Sequence, residues 1–170
     1  MTENALPLEV VYAGWDNFQK RLVQVTSGFS AEELALPVSP NHWPIGMLIQ
    51  HIISDRIWWF HLWMNEGGPE ISSFMHWEEE EEGKSVHPAE ELVAGLQASW
   101  EMIAATLSRY TVADLGQIFP PPPSLSERER QLFGENTRQE IIFHVLRHDL
   151  HHGGELAVGM GTHGMPIFWG

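Results

Sequence analysis

Four stretches of the chain repeat apolar residues at steps of three and four, which places those side chains on one face of an α-helix. The first stretch runs from Leu8 to Gly28, and the second from about Pro44 to Asn65. The third runs from about Pro88 to Tyr110, and the fourth begins at Thr137. Each pattern is that of an amphipathic helix that buries one stripe. Four such helices predict an all-α fold, a four-helix bundle with a long crossover.

The segments between the helices are rich in turn-forming residues. Gly67-Gly68-Pro69 ends the second helix, and Phe119 is followed by four prolines. Successive prolines favour extended backbone over helix. We therefore predict that residues 111–136 form a long Pro-rich loop before the last helix, with a short hairpin between Gly116 and Gly134. The acidic run Glu78–Glu82 is typical of solvated surface.

The fourth helix has a clear start and an ambiguous end. Thr137 and Glu140 have the spacing of a capping box, in which each residue satisfies the other's backbone N–H. Gly153-Gly154 marks either the end of the helix or a close approach, because each glycine costs a helix interior about 1 kcal/mol against alanine. Apolar periodicity continues through Leu156 and Met160. It favours a close approach by a neighbouring helix or a ligand.

Chain length and net charge limit the classes of function that are possible. With 170 residues, 43% of them hydrophobic, the chain fits one domain spanning residues 1–170. It has 23 acidic against 9 basic residues, a net charge of −14 at pH 7. Nucleic acids and anionic membranes are bound largely through clustered Lys and Arg, so neither partner is expected. A small-molecule substrate or a protein partner is expected instead.

The chain contains no cysteine. This excludes disulfides, cysteine ligands and a cysteine nucleophile, so any thiol chemistry must use an external thiol. The amino-terminal sequence MTENALPLEV lacks the basic and apolar regions of a secretory signal. Polar residues interrupt the longest apolar stretches, which argues against a spanning helix. We expect a cytoplasmic protein.

Histidines are concentrated in the fourth helix, where four of the ten lie between positions 144 and 152. His144, His148 and His152 fall on one face together with Glu155. Two imidazoles at positions i and i+4 can bind a single metal ion, and the helix of zinc metalloproteases uses this spacing. A lone histidine on such a face is more often a core residue. Several buried imidazoles would each need a partner, so metal binding is the better interpretation.

A second candidate pair lies in the second helix, where His51 and Asp55 share the face of the core residues. One interpretation is a His–Asp hydrogen bond at the edge of the core. The other is a third metal ligand with a carboxylate that orients it or acts at the site. The pattern alone leaves both open.

Three motifs give the chain a resemblance to a known family. A histidine in WPIGMLIQHI, the segment HVLRHDLHHGGEL and the following MGTHGMP resemble the DinB/YfiT-like superfamily of metalloenzymes. The resemblance implies a four-helix bundle, a homodimer, and a divalent metal ion held by His51, His148 and His152. His144 and His151 would then lie around the pocket as supporting residues.

The chain departs from the family at one point. Members often carry His-His-Arg-Gly-Gln where this sequence has His151-His152-Gly153-Gly154-Glu155. The arginine is missing and an acid replaces the glutamine. The implied metal ligands are retained, whereas the role of the arginine toward a substrate does not transfer.

Three neutral imidazoles would leave coordination positions open and would lower the pKa of a bound water or thiol. Asp55, His144 and Glu155 are the candidates to accept the proton. Zinc is the expected ion, with nickel or iron as alternatives. Relatives include thiol-dependent transferases, so we expect metal-dependent transferase or hydrolase chemistry on a small molecule. The alternatives are a non-catalytic, stress-related metal- or ligand-binding protein and a helical bundle with incidental histidines.

Overall fold

The computed structural model describes residues 6–77 and 86–166. The predicted all-α architecture is confirmed, because helices make up most of the described chain. In chain order the α-helices are α1 Leu8–Val11, α2 Trp15–Ser27, α3 Ala31–Leu34, α4 Ile45–Ile57, α5 Ala89–Arg109, α6 Glu127–Phe133 and α7 Arg138–Thr162. The long ones, α2, α4, α5 and α7, are the four that the apolar patterns predict.

The remaining elements are short. A π-helical segment, Trp58–Trp63, continues α4, and 3-10 helices span Pro69–Trp77 and Val112–Asp114. Two short strands, β1 Ile118–Phe119 and β2 Asn136–Thr137, pair antiparallel with Ile118 opposite Thr137. Within residues 6–77 and 86–166, none of the helices has both the length and the apolar content needed to cross a membrane.

The four long helices enclose one apolar core. α5 packs against both α2 and α4, and α4 also packs against α7. Each helix contributes side chains with no solvent exposure, among them Leu22, Ile52, Leu96 and Ile142. Burial of this apolar surface is the main force that holds the bundle together.

A buried polar network crosses the core beneath the histidines. Arg56 of α4 and Asp149 of α7 are both fully buried and form an ion pair of 2.7 Å between Nη2 and Oδ2. Trp15 of α2 donates its indole N–H to the same carboxylate at 2.7 Å. The Arg56 guanidinium also donates to Gln19, whose amide donates to the backbone of Leu96 in α5. All four long helices therefore meet in one hydrogen-bonded group.

The predicted single helix from Leu8 to Gly28 is wrong in one respect. It is broken between α1 and α2, where Gly14 has φ of +109°. Glycine alone adopts this region without steric cost. The apolar spacing runs through the break, so the periodicity did not reveal it.

The second helix also differs from its prediction. α4 has α-helical hydrogen bonding only to Ile57, and the π-helical turn carries the chain on to Trp63. Asn65 and Gly67 then take positive φ and end the helix, close to the predicted stop at Gly67-Gly68-Pro69. π-turns widen a helix locally and are frequent at functional sites.

The Pro-rich segment contains a helix that the prediction of a loop missed. Ser126 caps α6 through a capping box with Glu129. The short hairpin predicted between Gly116 and Gly134 is wrong, because β1 pairs with β2 at Asn136–Thr137 and α6 lies between the two strands. The capping-box spacing was present in the sequence and is the signal that could have located α6.

The prediction for α7 is confirmed at its start and refined at its glycines. Thr137 and Glu140 form the expected capping box, and the helix continues through Gly153-Gly154 to Thr162. A Cβ on Gly154 would meet no atom within 4 Å. Gly153 is buried, and a close approach occurs at Gly159, where a Cβ would lie 3.0–3.2 Å from atoms of Val38. The acidic run at 78–82 and the last residues, 167–170, lie outside the described residues.

Candidate metal centre

Three histidines from two helices converge at one point. α4 supplies His51, and α7 supplies His148 and His152, which lie one turn apart on the same face. One nitrogen from each ring can be chosen so that all three lie within 4.8 Å of one another. The Nε2 atoms of His51 and His148 are 2.9 Å apart. The packing of α4 on α7 thus brings together residues that are 97 positions apart in the sequence.

This arrangement fits a metal ion. Two nitrogens 2.9 Å apart require a proton or a cation between them, since both lone pairs point inward otherwise. A zinc ion with Zn–N bonds of about 2.0–2.1 Å places two tetrahedral nitrogen ligands roughly 3.3 Å apart. The three ring nitrogens, which lie within 4.8 Å of one another, therefore fit an ion held between the rings.

The protonation state of the rings also suits a metal ion. Burial, followed by the neighbouring imidazoles, lowers the pKa of His148 from 6.5 to about 2. Burial likewise lowers the pKa of His152, although Glu155 opposes this shift. Both rings are therefore neutral at physiological pH, which is the form that binds metals.

Asp55 lies behind the histidines and not among the converging nitrogens. Its Oδ2 is 3.3 Å from Nδ1 of His148, and its Oδ1 is 3.7 Å from Nε2 of His144. Burial raises the pKa of this carboxyl group above its usual range, while His144 lowers it in part. The Asp55 carboxylate and Nδ1 of His148 form no hydrogen bond at this distance, but a carboxylate beside Nδ1 is placed to orient the ring for a metal ion at Nε2. This position favours an orienting role for Asp55.

Glu155 occupies the equivalent place for the other α7 ligand. Its Oε2 is 2.6 Å from Nδ1 of His152, so the ring can donate to the carboxylate. Its Oε1 lies 3.4 Å from Nε2 of His151 and 3.8 Å from Nε2 of His42. Glu155 therefore supplies a hydrogen-bonding partner for His152.

Two predicted site residues stand apart from the converging nitrogens. His144 contacts Asp55, Trp59 and Arg147, and its ring centroid lies 4.5 Å from that of Trp59. The side chain of His151 is 65% exposed and contacts Oε1 of Glu155, and its ring centroid lies 4.8 Å from that of His152. A second set of potential ligands, His151, His152 and Glu155, also has suitable spacing. It shares His152 with the first set, so the two compete for that ring.

Several residues at the site were not anticipated from the sequence. The Trp43 ring packs edge-on against His51, with ring centroids 4.9 Å apart. A cleft of about 270 Å³ opens beside Asp55 and is lined by Asp55, Trp58, Trp59, Glu129, Phe133 and His144. The Trp residues come from the π-helical turn, and Glu129 and Phe133 come from α6. A larger cavity, of about 870 Å³, lies between α2 and the end of α7 and includes none of the predicted site residues.

Comparisons with known proteins identify the family. The model of the DinB superfamily matches residues 15–156. The structure resembles the crystal structure of a DinB-like protein from Bacillus cereus ATCC 10987, with a TM-score of 0.66 and 18% sequence identity. That alignment covers 98% of this chain and 97% of the other and shows a common fold. No curated protein matches the sequence. The chain belongs to the DinB superfamily.

Proposed function

We propose that this protein is a divalent-metal-dependent enzyme that acts on a small molecule at His51, His148 and His152. The observation that supports it most is the convergence of three imidazole nitrogens from α4 and α7. Neutral nitrogen ligands alone leave open coordination positions, as in catalytic zinc sites. The ion would supply Lewis acidity and would lower the pKa of a bound thiol or water. Zinc is the expected ion, with nickel or iron as alternatives.

The surrounding residues have separate roles in this proposal. Asp55 and Glu155 orient His148 and His152, because each lies beside the Nδ1 atom of its partner ring. His144 is the candidate proton acceptor, since it is half-buried, lines the cleft and contacts Asp55. The chain has no cysteine, so a thiol nucleophile would be an external small molecule. Thiol transfer to an electrophile is the favoured reaction, and hydrolysis is its close variant.

A screen of the metal-loaded protein tests this function. Low-molecular-weight thiols are paired with alkyl and aryl halides, and esters are offered without a thiol. We expect metal-dependent turnover that is lost in His148→Ala and retained in His151→Ala, whose side chain lies at the surface. If metal-loaded protein turns over none of these substrates, the protein is a non-catalytic metal-binding module.

The homodimer implied by the family resemblance stays a proposal. Phe143, Leu150 and Val158 are at least half exposed on the outer face of α7, which supports a contact with a second copy. Light scattering would then give about twice the chain mass of 19.3 kDa. A mass of a single chain at micromolar concentration would contradict the proposal.

A further inference from the structure

The cleft beside Asp55 has an aromatic lining. The ring centroids of Trp58 and Trp59 are 4.8 Å apart, and those of Trp58 and Phe133 are 5.1 Å apart. Phe133 also meets Trp59 edge-on, with ring centroids 5.9 Å apart. Three aromatic rings from two elements therefore pack against one another and form one wall of the cleft. Aromatic faces attract cations placed within about 6 Å of the ring centroid.

Two acidic side chains line the cleft, and burial raises the pKa of the inner one, Asp55. Asp55 closes the inner side of the cleft, and Glu129 of α6 stands exposed at its rim. Hydrogen bonds from the side chain and backbone of Ser126 lower the pKa of Glu129, which keeps it ionised at neutral pH. Arg147 contacts the outer nitrogen of His144 at 3.2 Å and does not line the cleft. The net charge of −14 also favours the approach of cations.

We propose that this cleft binds a small organic cation, an ammonium or quaternary ammonium group. The cation would lie against the aromatic wall that Trp58, Trp59 and Phe133 form, and Glu129 would neutralise it from the rim. Asp55 connects the cleft to the histidines, because it lines the cleft and contacts both His148 and His144. As a substrate subsite the cleft rests on the proposed function, whereas cation binding itself does not depend on turnover. The volume of about 270 Å³ suits a group of the size of trimethylammonium.

Calorimetric titration of the metal-loaded full chain with choline tests this proposal. The comparison ligand is 3,3-dimethylbutan-1-ol, which has the same shape without the charge. We expect choline to bind about tenfold more tightly, because a partly desolvated cation gains this much from aromatic faces. Equal affinity for the two ligands, or no heat from choline at millimolar concentration, would overturn the proposal.

Three variants distinguish choline binding in the cleft from metal binding at the histidines. Trp58→Leu and Glu129→Gln should each weaken choline binding severalfold, and glutamine preserves the capping box at Ser126. Glu127→Gln is the matched control, since Glu127 lies on the same helix and outside the cleft. Metal content and the unfolding midpoint of Glu129→Gln should equal those of the unmodified chain. If Glu127→Gln weakens choline binding as much as Glu129→Gln, the cleft is not the binding site. If the unmodified chain binds choline but no metal ion, the result contradicts only the proposed enzyme function.

Discussion

At the scale of single residues, the two α7 histidines differ in the carboxyl group that lies beside their Nδ1 atom. His148 faces the buried Asp55, whereas His152 faces the partly exposed Glu155. The Glu155 carboxylate accepts a hydrogen bond from Nδ1 of His152, whereas Asp55 lies 3.3 Å from Nδ1 of His148 without forming one. A carboxylate beside Nδ1 orients the ring so that Nε2 can bind a metal ion. Both acidic residues would therefore affect the metal ion through a histidine. Their substitution should change the affinity for the metal ion more than the number of ions bound per chain.

Replacing Glu155 by Gln should weaken divalent-metal affinity by about 10- to 100-fold, the usual effect of removing such a partner. Competition with a chromophoric chelator at fixed pH measures the change. Glu101→Gln, at an exposed position of α5, is the control and should leave affinity unchanged. Complete loss of metal binding in Glu155→Gln would instead make Glu155 a ligand, as in the set with His151 and His152.

The free energy of unfolding of the metal-free protein should fall as the pH is lowered below 6.5. The pKa of His148 is about 2 when folded and 6.5 when unfolded, so the unfolded chain binds more protons between these values. The lowered pKa of His152 adds to this loss of stability at low pH, whereas the raised pKa of Asp55 opposes it. Urea unfolding at a series of pH values measures the slope. His148→Gln should show a shallower decrease, and an unchanged slope would contradict this explanation.

At the scale of elements, α7 positions half of the metal centre and depends on how closely it packs. Gly159 lies against the backbone of Val38, whereas Gly154 faces open space on the same helix. Replacement of the two glycines should therefore have opposite effects on the free energy of unfolding. Gly159 permits close contact with the segment before α4. Gly154 makes no such contact and only lowers the helix propensity of α7.

Gly159→Ala should lower the free energy of unfolding by about 1–3 kcal/mol, the usual cost of overpacking. Gly154→Ala, the matched substitution, should raise it by about 0.5–1 kcal/mol, because alanine is the better helix former. Urea denaturation of both variants at one pH gives the comparison. Destabilisation of similar size in both would show that Gly154 also makes a close contact.

Helix boundaries followed from the sequence only where a local signal marked them. Thr137 and Glu140 located the start of α7, and the glycines after Asn65 located the end of the second helix. The break at Gly14 was hidden because the apolar spacing continues on both sides of it. α6 has no buried residue, so no apolar stripe revealed it. The π-turn after Ile57 depends on tertiary packing of the Trp-rich segment, which periodicity does not encode.

At the scale of the whole molecule, the buried pair of Arg56 and Asp149 joins the helices that carry the ligands. Asp149 follows His148 directly in the sequence, and Arg56 follows Asp55. The ion pair therefore sets the register of α4 against α7 at the level of the metal centre. Neither residue stood out in the sequence, since a lone charge in an apolar pattern does not identify its partner.

Asp149→Ala should lower the free energy of unfolding by about 3–5 kcal/mol, because it leaves the Arg56 guanidinium buried without its counter-ion. Asp16→Ala is the control. It removes an exposed ion pair with Lys20 and should cost less than about 1 kcal/mol. Thermal or urea unfolding of both variants measures the difference. Similar small losses in both variants would show that the buried pair contributes little.

The candidate site was accessible from the sequence only in part. The spacing of His148 and His152 is a local pattern that predicts a shared face. His51 is 97 positions before His148. The helical pattern offered His51 as a third ligand in one of two open interpretations, and the family resemblance favoured that one. The cleft between the π-turn and α6 is built by tertiary contacts, so the pattern of residues gave no sign of it.

The content of tightly bound divalent metal in the purified chain tests the central claim most directly. Elemental analysis of the unmodified protein should give about one ion per chain, as expected for a three-histidine site. His51→Ala and His148→Ala should lose the ion, whereas His151→Ala should retain it. Full metal content in both His51→Ala and His148→Ala, or its loss only in His151→Ala, would contradict the proposed metal centre.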